Sequence, residues 1–174
     1  HSWYNSVDTF ISPSKLMAKY LIEGGIPFEK VKHVPTFSKD IGKIVNSNNS
    51  STPYVLYFGI IRQEKGSEVL IKAYNSLKRP SFRLIMLGHV EPKYKNRLIN
   101  FLDNDHIDLV NILPPQKGKE LIKTINNSLF IIHPSLCLEN MPNSVLEAMS
   151  AGKPIIASNI GTLKEIVYDG ENGK

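Results

Sequence analysis

Apolar residues along this chain fall into short continuous runs, and amphipathic stretches separate the runs. The runs are YVLYFGI (54–60), FRLIMLG (82–88), IDLVNIL (107–113), SLFIIHPS (128–135) and KPIIAS (153–158). Runs that short and that uniformly apolar predict strands buried on both faces. Between them, apolar residues recur at helical spacing. Val69, Leu70, Ala73 and Leu77 mark a helix over 66–78, and Tyr94, Leu98, Ile99 and Leu102 one over 92–104. Leu121, Ile122 and Ile125 mark 117–126, and Val145, Leu146 and Met149 mark 142–151. Strand and helix in strict alternation predict an α/β fold: a Rossmann-like, doubly wound parallel sheet with helices on both faces. Such sheets bind ligands beyond the carboxyl ends of their strands. Here those ends are 59–65, 88–91, 113–116, 133–143 and 158–162.

The first part of the chain is a smaller unit. Residues 7–12 read as a strand, and Pro13 and Ser14 open a helix with the Ser12 hydroxyl as its candidate cap. Leu16, Met17, Tyr20 and Leu21 give that helix its apolar face, Gly24 and Gly25 end it, and 30–35 read as a second strand. A fragment of about 35 residues is too small for its own core and must pack on something. The polar run NSNNSST (46–52) reads as a linker. The expected organisation is therefore 1–35, a linker over 36–52, and a Rossmann-like domain over 53–174.

Composition adds boundaries. Of 174 residues, 41% are hydrophobic and 21% charged, which fits an ordinary globular chain. No apolar run approaches the ~20 residues of a membrane span. The single cysteine, Cys137, has no internal partner, which favours a reducing compartment. The net charge of +5 suits phosphate ligands or an anionic membrane surface. No Arg-rich or aromatic-interleaved stretch accompanies it, so nucleic acid is not the expected partner. The chain begins at His1 rather than Met, which reads as a processed or excised piece.

The densest chemistry lies in LENMPNSVLEAMSAGKPIIAS, where Glu139 and Glu147 are separated by seven residues. Glu139 ends a loop after an apolar strand. Pro142 opens the following helix, and the amides of Asn143, Ser144 and Val145 are expected to be free at its positive end, where an anion such as a diphosphate binds. Glu147 shares a helix face with Asn143. Spacing alone leaves open that Glu147 is a solvated helix residue and Glu139 a loop charge. The loop GIIRQEKG (59–66) follows a strand and offers Gly59, Arg62 and Lys65 to phosphates, without the order of a P-loop. Gly88 follows another strand; a ligand approach and a tight turn are both open there. His133, before Pro134 and Ser135, reads as a structural histidine.

Together these segments resemble the donor-binding half of retaining GT-B glycosyltransferases of family 4. VDTFISPSKLMAKYLIEGGIPFEKVKHVP is similar to the end of that family's acceptor domain. YFGIIRQEKGSEVLIKAYNSL resembles the first strand, loop and helix of its donor domain. IIHPSLCLENMPNSVLEAMSAGKPIIASNIGTLKEIVYDGENG resembles its signature region. The resemblance implies that residues 1–35 are the tail of the acceptor-side domain and that 53–174 bind the donor. It implies catalytic roles for Glu139, facing the donor sugar, and Lys65, neutralising the departing diphosphate. Asn140, Met141 and Pro142 would contact sugar hydroxyls, Asn143 and Ser144 the diphosphate, and Glu147 the ribose. Leu113 and Pro114 would border the base, Gly88 would let the nucleotide sit close, and Gly59 and Arg62 would line the phosphate loop. Family members commonly carry Arg after the strand-end Gly; this chain has Ile60, so one phosphate contact is missing or moved.

The implied activity is transfer of a hexosyl-type sugar, with retention, from a nucleotide-diphospho-sugar to a carbohydrate or lipid-linked acceptor, without a metal or other cofactor. Surface polysaccharide, lipopolysaccharide or glycoconjugate synthesis is the expected setting. The expected place is the cytoplasm, or the inner face of the membrane through peripheral contact. The partner domain would be an N-terminal Rossmann domain, and the chain stops before the closing helices of the donor domain. The isolated piece is expected to bind nucleotide weakly and turn over little. Two alternatives stay open: a nucleotide-sugar epimerase of similar architecture, and a non-catalytic nucleotide-binding or interaction module.

Overall fold

A computed structural model describes residues 3–39, 41 and 52–174. The first unit is a strand–helix–strand. β1 (Phe10–Ser12) and β2 (Val31–His33) pair in parallel, Phe10 opposite Val31, with α1 (Lys15–Glu23) crossing between them. The cap of α1 is Ser14, not Ser12: the Ser14 Oγ accepts from the Met17 amide at 3.1 Å. Ser12 instead donates its hydroxyl to the Ser14 carbonyl, 2.7 Å away. No residue of α1 is fully buried, so this unit has little core of its own.

The second unit is a five-stranded, all-parallel sheet in the order β5-β4-β3-β6-β7. Its strands are β3 (Tyr54–Phe58), β4 (Arg83–Leu87), β5 (Val110–Leu113), β6 (Ile131–His133) and β7 (Ile155–Ala157). Its helices are α2 (Ser67–Asn75), α3 (Pro92–Asn100), α4 (Gly118–Asn127), α5 (Asn143–Ser150) and α6 (Leu163–Ile166).

Period-two alternation splits each central strand between two cores. Val55 and Tyr57 of β3 and Leu84 and Met86 of β4 face Leu70, Ile71, Tyr74 and Leu98 of α2 and α3. Leu56, Phe58 and Leu87 face Ile125, Val145, Ala148 and Leu163 of α4, α5 and α6. Burying one such side chain stabilises the fold by about 1.5–3 kcal/mol, so both helical layers are held by the same strands.

Several expected boundaries move. Residues 107–109 form a 3-10 turn, so β5 begins only at Val110. The strand read over 128–135 narrows to β6, and the helix read over 66–78 stops at Asn75. α6 was not foreseen, because four residues carry no periodicity. Most of the linker, residues 40 and 42–51, lies outside the described residues. Its described part is fastened to the end of α5, where the Ser150 hydroxyl donates to the Lys39 carbonyl (2.8 Å) and accepts from the Ile41 amide (2.9 Å). Among the described residues no helix is long and apolar enough to cross a membrane.

The strand order places β3 at the point where the winding reverses. From β3 the chain turns to α2 on one face; from the adjacent β6 it turns to α5 on the other. The crevice between those two strand ends is where such a sheet binds its ligand.

Candidate active site

Two loops meet in that crevice. After β3 the chain turns at Gly59, whose φ of 144° favours glycine, and runs through a 3-10 turn (Gln63–Lys65) into α2. The Tyr57 hydroxyl braces this loop by donating to the Ile60 carbonyl at 2.6 Å, and burial raises the phenol's pKa. After β6 the chain runs through Pro134 to Glu139. The loops are joined directly: the Leu136 amide donates to the Glu64 carbonyl (2.9 Å). Gly66 sits so close to Pro134 that a Cβ would lie 1.8 Å from the Pro134 carbonyl oxygen.

This junction delivers Lys65 to Glu139. The Lys65 Nζ lies 2.7 Å from Glu139 Oε1, a charge-assisted hydrogen bond between side chains 25% and 14% exposed. The same Oε1 accepts from the Ser135 hydroxyl at 2.8 Å, and His133 Nε2 stands 3.6 Å from it. His133 next to the carboxylate, with the hydrogen bonds from Lys65 and Ser135, holds Glu139 at about 2 against the opposing effect of burial. The His133 separation exceeds hydrogen-bond length, and Nε2 has no hydrogen-bond partner, so the firm contacts are Lys65 and Ser135. Burial pulls Lys65 down, but the bond to Glu139 and its charge outweigh that, and the ammonium form is favoured. Oε2 of Glu139 makes no hydrogen bond among the described residues, which leaves it to face a ligand.

The positive end of α5 closes the crevice. Its cap is Pro142, in extended conformation. The Val145 amide is not free, as expected from sequence, but donates to the Pro142 carbonyl at 3.1 Å. The amides of Asn143 and Ser144 make no backbone hydrogen bond among the described residues and remain for an anion. The Ser144 hydroxyl lies 3.3 Å from His133 Nδ1. His133, only 7% exposed, therefore stands between the helix end and Glu139. Sequence reasoning set His133 aside as structural; the available signal was its place at the end of a parallel strand beside Pro134 and Ser135. The contacts of Ser135, which binds Glu139, and of Thr162, whose hydroxyl donates to the Glu139 carbonyl, could not be read from spacing.

The other expected residues lie around this cluster. Glu147 lines a cavity of about 390 Å³ with Asn143, Gly118, Leu121 and Lys39. Its carboxylate has no hydrogen-bond partner among the described residues, and burial raises its pKa. Leu113, Pro114 and Gly88 border another cavity of about 360 Å³. Gly88 has a further reason inside the fold: a Cβ there would lie 1.6 Å from the Gly59 carbonyl oxygen, so its small size serves the packing of β3 against β4. Asn140 is exposed and accepts from the Ser14 hydroxyl at 3.3 Å, and Met141 is half-buried beside it. Arg62 is not brought to the pair. It lies 3.9 Å from Glu64 and lines a cavity with Ile60, His89 and Tyr94. Two larger cavities, about 690 and 790 Å³, sit elsewhere and hold none of these residues. Among the described residues no three His, Cys, Asp or Glu side chains are spaced to hold a metal ion.

An all-parallel sheet in this order, with a Lys–Glu pair and a helix N-terminus at its switch point, is one half of a GT-B glycosyltransferase fold. The chain belongs to the family described as glycosyl transferases group 1, whose pattern matches residues 39–174. D-inositol 3-phosphate glycosyltransferase of Paenarthrobacter aurescens is 30% identical over 125 residues, 69% of this chain and 30% of the relative. A glycosyltransferase of Rickettsia africae superposes with a TM-score of 0.85 at 22% identity, over 99% of this chain and 51% of that one. Anabaena HepE, solved in complex with UDP and glucose, superposes with a TM-score of 0.81 at 21% identity, over 95% of this chain and 48% of that one. The chain thus spans about a third of that curated relative and about half of those solved structures.

Proposed function

We propose that this chain carries the donor site of a retaining, family 4 glycosyltransferase, which moves a hexosyl-type sugar from a nucleotide-diphospho-sugar to a carbohydrate or lipid-linked acceptor. The observation that carries this reading is the Lys65–Glu139 pair at the switch point, set beside the open amides of Asn143 and Ser144. Cleaving a sugar–phosphate bond builds positive charge on the sugar and negative charge on the departing diphosphate. Lys65 and the α5 amides are placed for the negative charge, and Glu139 Oε2 for the positive. Glu147, half-buried and without a hydrogen-bond partner among the described residues, suits the paired hydroxyls of a ribose. Leu113 and Pro114 offer an apolar border for the base. That HepE binds UDP and glucose favours a uridine donor for the same fold. No metal is needed in this scheme. The acceptor lies against a second Rossmann domain, and the work is done in the cytoplasm or at the inner membrane face, in polysaccharide, lipopolysaccharide or glycoconjugate synthesis.

The test is titration calorimetry of UDP, GDP and ADP against this chain and against Glu147→Ala. Binding of one nucleotide that the variant weakens about tenfold or more, the worth of about 1.4 kcal/mol, supports a donor site. No binding to either supports a non-catalytic module. Product analysis with the full-length protein then separates transfer with retention, read from the anomeric proton, from an epimerised nucleotide sugar.

A further inference from the structure

We infer that Glu165 is a positioning residue of the reaction centre: by capping α1 it docks the N-terminal unit against the loop that carries Glu139. This rests on the reading of Glu139 as a reaction-centre residue given above.

The first turn of a helix has amides with no partner inside the helix. In α1 they are all matched, and two are matched by a side chain far away in sequence. The Lys15 amide donates to Glu165 Oε2 at 2.9 Å, and the Leu16 amide to Oε1 at 2.7 Å. The Met17 amide donates to the Ser14 hydroxyl, and the Ala18 amide to the Ser14 carbonyl at 3.0 Å. A carboxylate at this end also opposes the positive pole of the helix. Both oxygens of Glu165 are committed to the backbone of the N-terminal unit.

Glu165 lies on α6, and the turn before α6 reaches the site. Thr162, fully buried, donates its hydroxyl to the Glu139 carbonyl. On the other side, the Ser14 hydroxyl donates to Asn140 Oδ1 at 3.3 Å. Residues 139 and 140 are therefore held between α6 and α1, while Glu165 holds α6 and α1 together. The three contacts close a ring. Moving α1 away from α6 breaks the Ser14–Asn140 bond and strands two amides, so the N-terminal unit cannot shift without loosening the loop behind Glu139. The recognition uses only backbone atoms of Lys15 and Leu16, so it depends on the place of α1 and not on its side chains.

Cys137, the only cysteine, sits two residues before Glu139 and reports on this loop. The experiment compares wild type, Glu165→Gln and Glu165→Ala by amide hydrogen exchange and by the rate of Cys137 alkylation with iodoacetamide, with thermal melting as the check on folding. The expected result is faster exchange at Lys15 and Leu16 in Glu165→Ala, with faster exchange over 137–140 and faster alkylation. The size of each effect is a factor of about 5–30, as for one or two lost hydrogen bonds, with amides of β3 unchanged. Glu165→Gln, which keeps one neutral acceptor, falls between, and it carries the comparison if Glu165→Ala does not fold. Faster exchange in α1 with no change at Cys137 or over 137–140 overturns the inference, leaving Glu165 as a helix cap only; no change anywhere overturns it too. These readings need no nucleotide, so a failed UDP titration speaks against the donor-site reading and not against this contact.

Discussion

Lys65 and Glu139 are 74 positions apart in sequence, and the Nζ of one lies 2.7 Å from Oε1 of the other. Their proposed roles are opposite: Lys65 for the charge on the departing phosphate, Glu139 for the charge on the sugar. The pair fixes the orientation of the carboxylate by its Oε1, so that Oε2 is the atom presented to a ligand. In the proposed reaction a donor phosphate near Lys65 would compete for the ammonium and so free Glu139 as the leaving group gains charge.

Lys65→Ala removes both a donor to Oε1 and a cation for the phosphate. The Glu139 carboxyl then moves up from about 2 toward the ordinary 4.5, with Ser135 and His133 left beside it. Transfer by the full-length enzyme falls by about 10²–10³-fold, the scale of losing one aimed electrostatic partner. Carbon-detected NMR titration of the Glu139 carboxyl and single-turnover rates check the two halves separately. An unmoved Glu139 titration would show that the pair is not what holds it down.

The pair also makes stability depend on acid. The folded pKa of Glu139 is depressed, so its contribution is present above the unfolded value of 4.5 and is lost as pH falls from there through about 2. After allowance for solvent screening this is on the order of 2 kcal/mol. Urea melts at pH 6 and pH 3 should differ by roughly half of that, about 1 kcal/mol, more in wild type than in Glu139→Gln, because a carboxyl held at about 2 is still largely ionised in the fold at pH 3.

Glu147 has the opposite linkage. Burial raises its pKa, so its ionised form costs stability as pH rises above 4.5. Glu147→Gln is expected to raise Tm while weakening nucleotide binding. Melting and calorimetry on the same sample check the pair of signs; a variant that loses both or gains both contradicts the assignment.

Gly88 is buried where the Gly59 carbonyl needs its space. Gly88→Ala puts a methyl group against backbone that has nowhere to relax, and the expected loss is about 2–4 kcal/mol. A Tm within about 2 °C of wild type, less than the shift that 1 kcal/mol gives, would mean that the ends of β3 and β4 part easily.

Ile60 is half-exposed, in the position where the resembling family commonly carries Arg. Ile60→Arg should leave Tm within about 2 °C, as surface changes of about 0.5 kcal/mol do. UDP affinity should rise about fivefold through one added phosphate contact. Unchanged affinity would show that this loop position does not reach the diphosphate.

The alternation of apolar runs and amphipathic stretches was enough to read five parallel strands, and all five are present. Boundaries failed where local pattern is silent. Residues 107–109 are as apolar as a strand but close a 3-10 turn, and α6 is too short to show a period. The cap expected at Ser12 is Ser14 instead, a choice that the path of the backbone makes. Glu139, Lys65 and Glu147 were all legible as candidates, because strand-end loops and a helix start can be read from spacing. His133 reads as structural in the sequence, and its two neighbours, Ser144 and Glu139, come from other segments and so are not legible from its own position at a strand end.

By itself, then, the sequence determined the fold class, the two cores and the edge on which the candidate site lies, because periodicity and turn residues act over a few positions. Strand order was decided only in three dimensions. Placing β6 against β3 brought Lys65 to Glu139, set His133 between Glu139 and Ser144, and left Arg62 in a different cavity. It also joined Glu165 to the amides of α1 across 150 positions. Such contacts depend on which buried faces pack together, a sum over many side chains that no local segment encodes.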